Sequence, residues 1–252
     1  LGLRVARGQM AMWEVSPDAG GVKTVTAFVS RRFTTDEMEL IPGDSLLADA
    51  YTDYFQLREA AKAAEKALGG ADRSQKRKNP MEGALRAQAT LARALTVLRA
   101  PTFNLADEFV QHLVFDAWIG NGDRHPQNWG ALKHYTQNRV ELAPMFDTAG
   151  CLGAELGHPQ LAMSDAKLDD YVSRCRSGFG DGNADTGVSM QALWRELSQT
   201  DEYQRAAPSL IDRIHSLIPQ LPELLAVDCS LLTAERRQFM ISVLTKRVTL
   251  LV

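Results

Sequence analysis

The sequence has few cysteines and no long hydrophobic run. Its three cysteines, Cys151, Cys175 and Cys229, are odd in number and widely separated, so they form neither a disulfide framework nor a Cys-x-x-Cys zinc pair. They fit a reducing compartment, and we expect a cytoplasmic protein. Charged residues interrupt every apolar segment before it reaches the roughly 18 residues that suggest a membrane span. We therefore expect a soluble protein with no membrane partner.

A strong net charge and a zinc-ligand pattern are also missing. The formal charge of −3 at pH 7 gives no overall attraction to nucleic acid, so no direct nucleic-acid binding is expected. Histidine and cysteine never recur at the spacing of zinc ligands. With 252 residues, of which 45% are hydrophobic and 23% charged, the chain can form one large globular domain or two smaller ones.

The residue pattern predicts two β-hairpins in a mainly helical chain. Val-, Thr- and Phe-rich runs within residues 10–33 surround a Pro, Asp and Gly turn, and a second hairpin is predicted over 129–146 with its turn at 135–138. The basic linker 71–80 and the Gly-rich segment SGFGDGNADTG, 177–187, are expected to be surface loops. Helices are predicted over 46–68, 81–99, 105–119, 189–198, 208–217 and 232–251.

The stretch GNGDRHPQNWG, 120–130, concentrates acid and amide side chains in one loop. Asn128 follows Asp123 by five residues, and Asp147 follows Asn128 by nineteen, beyond the predicted second hairpin. Because a hairpin returns the chain close to where it left, we expect these three side chains to meet. Two carboxylates repel each other unless a cation separates them. Their oxygens and the amide oxygen suit Mg²⁺, which also binds phosphates.

The order of these three residues is the order used in phosphoryl transfer by protein kinases. A catalytic-loop Asp accepts the hydroxyl proton, an Asn follows as a metal ligand, and a later Asp holds the metal that bridges the phosphates. Asp123, Asn128 and Asp147 match these roles. The alternative is a structural turn in which Asn121, Gly122 and the Asp side chains cap the backbone.

The text VFDAWIGNGDRHPQNWGAL followed by LAPMFDTAG resembles the C-terminal kinase region of HipA-like serine/threonine kinases, which are bacterial toxin and regulatory kinases. The resemblance implies an α+β, protein-kinase-like fold, mainly the helical large lobe with two short β-hairpins at the nucleotide site. It implies ATP and Mg²⁺ as cofactors, a protein substrate phosphorylated on Ser or Thr, and an antitoxin or DNA-binding partner encoded nearby. By position, Asp123 is the expected catalytic Asp, and Asn128 and Asp147 are the expected metal ligands. Arg124 and His125 are expected to shape the loop.

The segment TAFVSRRF, 26–33, resembles the strand and hinge in which these kinases place a Glu-Arg-Phe-Asp-Arg stretch beside adenine. Phe33 is therefore an expected nucleotide-binding residue, although Arg31 and Thr34 replace the Glu and the Asp. We expect residues 1–45 to be a hairpin and hinge region from the end of a small lobe, and 46–252 to be the helical C-terminal catalytic lobe.

The chain begins LGLRVARGQM, without an initiator Met, a signal peptide, or a preceding glycine-rich loop and phosphate-binding strand Lys. We therefore expect a fragment of a larger gene product. An isolated large lobe would bind ATP poorly or lack activity, since phosphate clamping supplies much of the transition-state stabilisation.

Two other kinase classes share parts of the loop. The DRHxxN core is similar to the catalytic loop of phosphoinositide kinases, and NGDRHPQN resembles the HGDxHxxN loop of aminoglycoside and choline kinases, with Asn121 replacing its His. The Pro in LAPMFD favours the HipA-like proteins. A non-catalytic, kinase-like binding module is the alternative outside the enzymes. The presence of Asp123, Asn128 and Asp147 together argues against it, because two close carboxylates without a metal would destabilise the fold.

Overall fold

The chain folds as helices packed around a small antiparallel sheet, with a separate two-stranded hairpin near its start. A computed structural model describes residues 1–15, 23–30, 32–67, 80–148, 150–182, 187–226 and 232–251. The helices are α1 Gly43–Ala50, α2 Thr52–Ala67, α3 Pro80–Gln88, α4 Leu91–Arg99, α5 Ala106–Ile119, α6 Asp165–Ser173, α7 Met190–Leu197, α8 Asp201–Ala206, α9 Pro208–Leu217, α10 Leu221–Leu224 and α11 Ala234–Arg247. Short 3-10 turns occur at His158–Gln160, Ile218–Gln220 and Val248–Leu251.

The strands confirm both predicted hairpins and add one strand. Strands β1 Gly8–Val15 and β2 Lys23–Ser30 pair antiparallel, while their predicted turn lies outside the described residues. The second hairpin consists of β4 Gly130–His134 and β5 Arg139–Leu142. Strand β3, Met38–Pro42, was not predicted and pairs with β4, placing Pro42 opposite Gly130. The sheet order is therefore β3-β4-β5.

The predicted helix over residues 46–68 is wrong as a single helix. Tyr51 has an extended backbone, with φ −129° and ψ 112°, and it ends α1 while its N–H donates to the Leu47 carbonyl. Helix α1 is largely buried, whereas only Tyr54 and Ala61 of α2 are buried. The break thus separates a core helix from a surface helix. Most of the predicted basic linker, residues 71–79, lies outside the described residues.

The predicted helix over residues 81–99 is also divided, at Ala89 and Thr90. The Thr90 hydroxyl accepts a hydrogen bond from the Arg93 N–H at 3.3 Å and so caps α4. The Ala89 carbonyl accepts from the Gly180 N–H at 3.1 Å. A distant segment therefore uses the backbone groups that a continuous helix would have satisfied internally.

Helix α5 forms the centre of the core, and the prediction over 105–119 is confirmed. Phe109, Val110, Leu113 and Val114 are at most 1% exposed. Helices α4, α7, α8, α9 and α11 contact α5, as expected for a helix that is apolar around most of its circumference. The predicted helices over 189–198, 208–217 and 232–251 are confirmed as α7, α9 and α11 with the turn after it. None of the described helices is long and apolar enough to cross a membrane.

The expected flexible surface loop over residues 177–187 is wrong for its first four residues. Ser177 to Gly180 are buried, and the Phe179 ring lies 6.2 Å from the Phe109 ring, centroid to centroid. A Cβ on Gly178 would lie 2.5 Å from the backbone nitrogen of His125. The absence of a side chain at Gly178 therefore permits the close approach of these two backbone segments. Residues 183–186 lie outside the described part of the chain.

The predicted boundary between two domains stays a prediction. Ser45 lies within α1, directly after the β3 strand that joins the three-stranded sheet. The start of α1 is tightly packed on the loop before β4, because a Cβ on Gly43 would lie 2.5 Å from the Trp129 indole. Trp129 is 2% exposed and packs on Phe109, with ring centroids 4.8 Å apart.

We predict that Gly43→Ala lowers the free energy of unfolding by about 1–3 kcal/mol, because the added methyl group overpacks against a buried indole. Gly157→Ala is the matched control, since the nearest atom to its Cβ would be 3.5 Å away. Urea unfolding of both variants measures the difference. Equal stability of the two variants would contradict the packing described for α1.

Candidate active site

The loop that carries the predicted site begins at the end of α5 and is attached to the start of α1. Gly120 closes α5 in the left-handed conformation, with φ 71°, and its N–H donates to the Asp116 carbonyl. Further along the loop, the Trp129 carbonyl accepts from the Gly43 N–H at 2.8 Å. The Pro126 carbonyl accepts from the Asp44 N–H at 2.9 Å. Both ends of the loop are therefore fixed to buried helices.

A buried ion pair between Asp116 and Arg124 lies behind this loop. The two side chains are 3% and 2% exposed, and Arg124 Nε and Nη2 donate to the two carboxylate oxygens at 2.7 and 2.9 Å. Asn121 Nδ2 also donates to Asp116 Oδ1 at 2.8 Å. Asn121 Oδ1 in turn accepts from the Asp123 N–H at 3.2 Å. The carboxylate of Asp116 thus orders the residues on both sides of Gly122.

The same guanidinium joins the two halves of the predicted site. Arg124 Nη1 donates to the Asn128 carbonyl at 2.6 Å and to the Phe146 carbonyl at 3.0 Å. Asn128 belongs to the loop, whereas Phe146 directly precedes Asp147 on the far side of the β4-β5 hairpin. One buried side chain therefore holds the backbone of both segments together.

The electrostatics of Arg124 place both predicted acids near it. Burial disfavours the charged form, but Asp116, followed by Asp147 and Asp123, raises the pKa of the Arg124 guanidinium above its ordinary value. Burial, and then the positive charge of Arg124, lowers the pKa of His112 to about 3. His112 is consequently a neutral core residue of α5.

Asp123 and Asn128 are in direct contact. Asn128 Nδ2 donates to the Asp123 carbonyl at 2.8 Å and lies 3.4 Å from Asp123 Oδ2. The Asn128 side chain is buried, and the Asp123 side chain is 59% exposed. The amide nitrogen of Asn128 is therefore engaged with Asp123. Its Oδ1 accepts no hydrogen bond from any residue that the structure describes. That oxygen remains available to a ligand.

His125 supports the loop as a hydrogen-bond acceptor. Its Nδ1 accepts from the Gln127 N–H at 3.3 Å, and its Nε2 lies 3.6 Å from Asp123 Oδ1. In a neutral imidazole with Nδ1 as acceptor, Nε2 carries the proton. The ring therefore presents an N–H toward the Asp123 carboxylate, in agreement with a loop-shaping role.

Asp147 is exposed at a backbone position that few residues adopt. Its φ is 51°, in the left-handed region where Asp and Asn are enriched. The segment before Asp147 is attached to the N-terminal residues of the chain. The Met145 N–H donates to the Arg4 carbonyl at 2.9 Å, and the Met145 carbonyl accepts from the Ala6 N–H at 2.8 Å. The Asp147 carboxylate has no hydrogen bond within the described part of the chain.

The fourth predicted residue, Phe33, lies at the same place. Its half-buried ring packs on the Phe146 ring, with centroids 5.5 Å apart. The structure therefore brings Asp123, Asn128, Asp147 and Phe33 into one region, while their roles stay predictions. Trp118 and Trp129 are buried in the core.

Asp116 has no predicted role from the sequence, and the structure gives it one. The available signal was an acid within the apolar helical run 105–119, because an acid on a buried helix needs a partner. Which cation would pair with it was not readable, because spacing in sequence alone does not show which basic side chain the fold brings to a buried acid.

The oxygens of Asn128 and Asp147 fit a hard cation that retains waters and phosphate ligands. No cluster of three or more His, Cys, Asp or Glu side chains that could hold a metal occurs among the residues described. A site with one carboxylate and one amide oxygen needs further ligands from outside the protein, and Mg²⁺ bound together with a nucleotide takes such ligands.

The helical body, the three-stranded antiparallel sheet and the loop between them define an α+β, protein-kinase-like fold. The chain belongs to the HipA-like C-terminal domain family, whose family model matches residues 2–216. The crystal structure of a Helicobacter pylori proinflammatory kinase, CtkA, superposes with a TM-score of 0.60 and 19% identity, covering 98% of this chain and 78% of that one. At 19% identity, this structural similarity is evidence for the fold alone.

A curated relative is similar in sequence over a shorter stretch. The serine/threonine-protein kinase CtkA of Helicobacter pylori is 29% identical over 133 residues, which cover 45% of this chain. The matched part spans 37% of the length of that relative.

We predict that Asp116→Asn destabilises the protein by about 3–5 kcal/mol, because it leaves the charge of Arg124 buried without a carboxylate. The matched control is Asp170→Asn, which breaks an exposed ion pair with Arg174 and should change stability by less than about 1 kcal/mol. Urea unfolding measures both. A loss in Asp116→Asn no larger than in the control would contradict the supporting role of this pair.

Proposed function

We propose that this chain is the catalytic part of an ATP- and Mg²⁺-dependent protein kinase that transfers the γ-phosphate of ATP to a Ser or Thr hydroxyl of a protein. In this proposal Asp123 accepts the hydroxyl proton, Asn128 and Asp147 hold the metal, and Phe33 lies beside the adenine. Family membership favours a protein acceptor over the lipid and small-molecule acceptors of other kinases with similar loops. The activity of the whole protein, its substrate, a cytoplasmic location and an antitoxin or DNA-binding partner encoded nearby belong to the same proposal.

The observation that carries the proposal is the bonding of Arg124 to two backbone carbonyls. Its Nη1 holds the carbonyl of Asn128 and the carbonyl that precedes Asp147, so the two expected metal ligands start from backbone positions fixed to one rigid group. Catalysis of phosphoryl transfer depends mainly on positioning and electrostatic stabilisation. A buried guanidinium that loses little freedom is well suited to provide the positioning.

The donor set supports Mg²⁺ as the ion. Asn128 Oδ1 and the Asp147 carboxylate accept no hydrogen bond from the described residues, so their lone pairs are available. When bound, Mg²⁺ would neutralise negative charge on the phosphates. The contact from Asn128 Nδ2 to the Asp123 carbonyl fixes the orientation of the amide and directs its oxygen away from Asp123.

Asp123 is better placed than His125 to act as the base. Its carboxylate is exposed, so an incoming hydroxyl can reach it, while Asn128 Nδ2 and His125 Nε2 face its two oxygens at 3.4 and 3.6 Å. His125 already uses Nδ1 to accept from the backbone and presents a proton at Nε2. A ring in that state has no free lone pair for a substrate hydroxyl.

We predict that Asp147→Ala lowers the Mg²⁺-dependent affinity for ATP by at least about tenfold without unfolding the protein, because the carboxylate is exposed and has no hydrogen bond among the described residues. Isothermal titration calorimetry with ATP, in Mg²⁺ and in EDTA, measures the effect. Asp212→Ala, an exposed acid on α9, is the control. Equal binding by the wild type and Asp147→Ala, or no binding by either, would contradict the metal site.

We predict that Asp123→Asn in the full-length protein reduces phosphate transfer by about 10²- to 10⁴-fold, since an amide cannot accept the proton. Binding of ATP with Mg²⁺ should change little. Transfer of labelled γ-phosphate, followed by mass spectrometry of candidate protein substrates, measures the effect. Transfer that survives this substitution would refute the role of Asp123 as the base.

A further inference from the structure

An open cleft of about 800 Å³ begins beside Asp123 and extends to α6. Gly122 and Gly150 border one end, and a Cβ on Gly150 would lie 3.9 Å from the Cβ of Asp123. Lys167 and Tyr171 of α6 also line the cleft. The volume lies in the range of sites that bind ligands much larger than a single ion. A group bound in this cleft would thus be adjacent to the proposed base.

Arg247, at the end of α11, lies in the wall of this cleft, and no carboxylate in the described part of the chain pairs with it. The residue is 2% exposed, and its guanidinium lies against Gly120, whose Cβ would be 2.6 Å from the guanidinium carbon. Its contact with the Ala117 carbonyl is long, at 3.5 Å, and its Nε makes no hydrogen bond to any described residue. No described acid forms an ion pair with it. Buried arginines are normally paired, so this one has capacity for an anion.

The remaining charges around the cleft also favour an anion. Lys167 is exposed and has no ion-pair partner among the described acids, and Arg174 and Arg176 add two further positive groups. The two acids in the wall are already engaged. Glu155 accepts from the Tyr171 hydroxyl at 3.0 Å, and Asp170 pairs with Arg174 at 2.8 Å. The wall therefore carries four cationic side chains and two acids; Arg247 and Lys167 have no ion-pair partner among the described acids, whereas Arg174 is paired with Asp170.

We propose that this cleft binds the segment of the protein substrate around its acceptor Ser or Thr, and that Arg247 and Lys167 select segments with an acidic side chain near the acceptor. The inference rests on the proposed kinase function, because it assigns the cleft from its position next to Asp123. The cleft extends well beyond the reach of one anion, which favours a peptide segment over a free phosphate. Glutamate and phosphoserine share the required negative charge, and the experiment distinguishes them.

The test measures binding, without nucleotide, of labelled peptides to the 252-residue chain by fluorescence anisotropy. One peptide has a central Ser flanked by Glu, the second has Gln in place of Glu, and the third has phosphoserine at the flanking positions. We expect the Glu peptide to bind roughly tenfold more tightly than the Gln peptide at low salt, with a smaller ratio at high salt. Tighter binding of the phosphoserine peptide alone would identify phosphorylated substrates and overturn the preference for ordinary acidic residues.

Substitutions of single cationic residues show which side chains cause the preference for the Glu peptide. Arg247→Gln should abolish the preference for Glu over Gln, and Lys167→Gln should reduce it several-fold. Because Lys167 is exposed, its variant should fold normally and keeps the test decisive if Arg247→Gln is unstable. Arg195→Gln, an exposed arginine on α7 outside the cleft, changes the charge equally and should leave the preference intact.

Three further outcomes would overturn the proposal. These are equal binding of the Glu and Gln peptides, an equal loss of preference in Arg195→Gln, and inorganic phosphate binding that accounts for all of the peptide affinity. Failure of the kinase function is separately visible, because ATP binding and phosphate transfer are measured in different experiments. A protein that binds ATP with Mg²⁺ but shows no peptide preference would refute the cleft and leave the proposed function in place.

Discussion

The buried ion pair between Asp116 and Arg124 is the interaction on which the site depends. Removing both charges from water is unfavourable, and two hydrogen bonds between them offset part of that cost. The remaining donor of Arg124 reaches the carbonyls of Asn128 and Phe146, so satisfying the guanidinium also brings the loop and the segment after β5 together. A lysine would place the same charge there but lacks the planar fork that makes these contacts simultaneously.

The ion pair is held in place because its carboxylate partner, Asp116, lies on α5. That helix is largely buried in the core, and Asp116 lies one turn before its end, so the carboxylate cannot move away from the loop without disturbing the apolar packing. On the other face of the loop, Gly178 lies against the backbone of Arg124 and His125. The loop is consequently enclosed between α5 and the buried segment from Ser177 to Gly180.

In this arrangement the residues that fix the backbone are buried, and the two acids are exposed. Arg124 and Asn128 are buried and fully engaged through their nitrogen donors, whereas the carboxylates of Asp123 and Asp147 face solvent. Exposure keeps the mutual repulsion of the two acids small, because water screens it, and the nearby guanidinium reduces it further. The same loop borders the cleft through Gly122, so the exposed acid at Asp123 lies beside the surface to which we assign the acceptor segment.

The sequence alone determined the parts of this protein that depend on local spacing. The order of Asp123, Asn128 and Asp147 around a hairpin, the apolar helix before them and the family resemblance were all readable, because each is a pattern within a short stretch of chain. Tertiary structure decided the break at Tyr51, the pairing of β3 with β4, the burial of Phe179 and the placement of Arg247 beside Gly120. Those features come from contacts between segments far apart in sequence, where burial and unsatisfied backbone groups override local propensity.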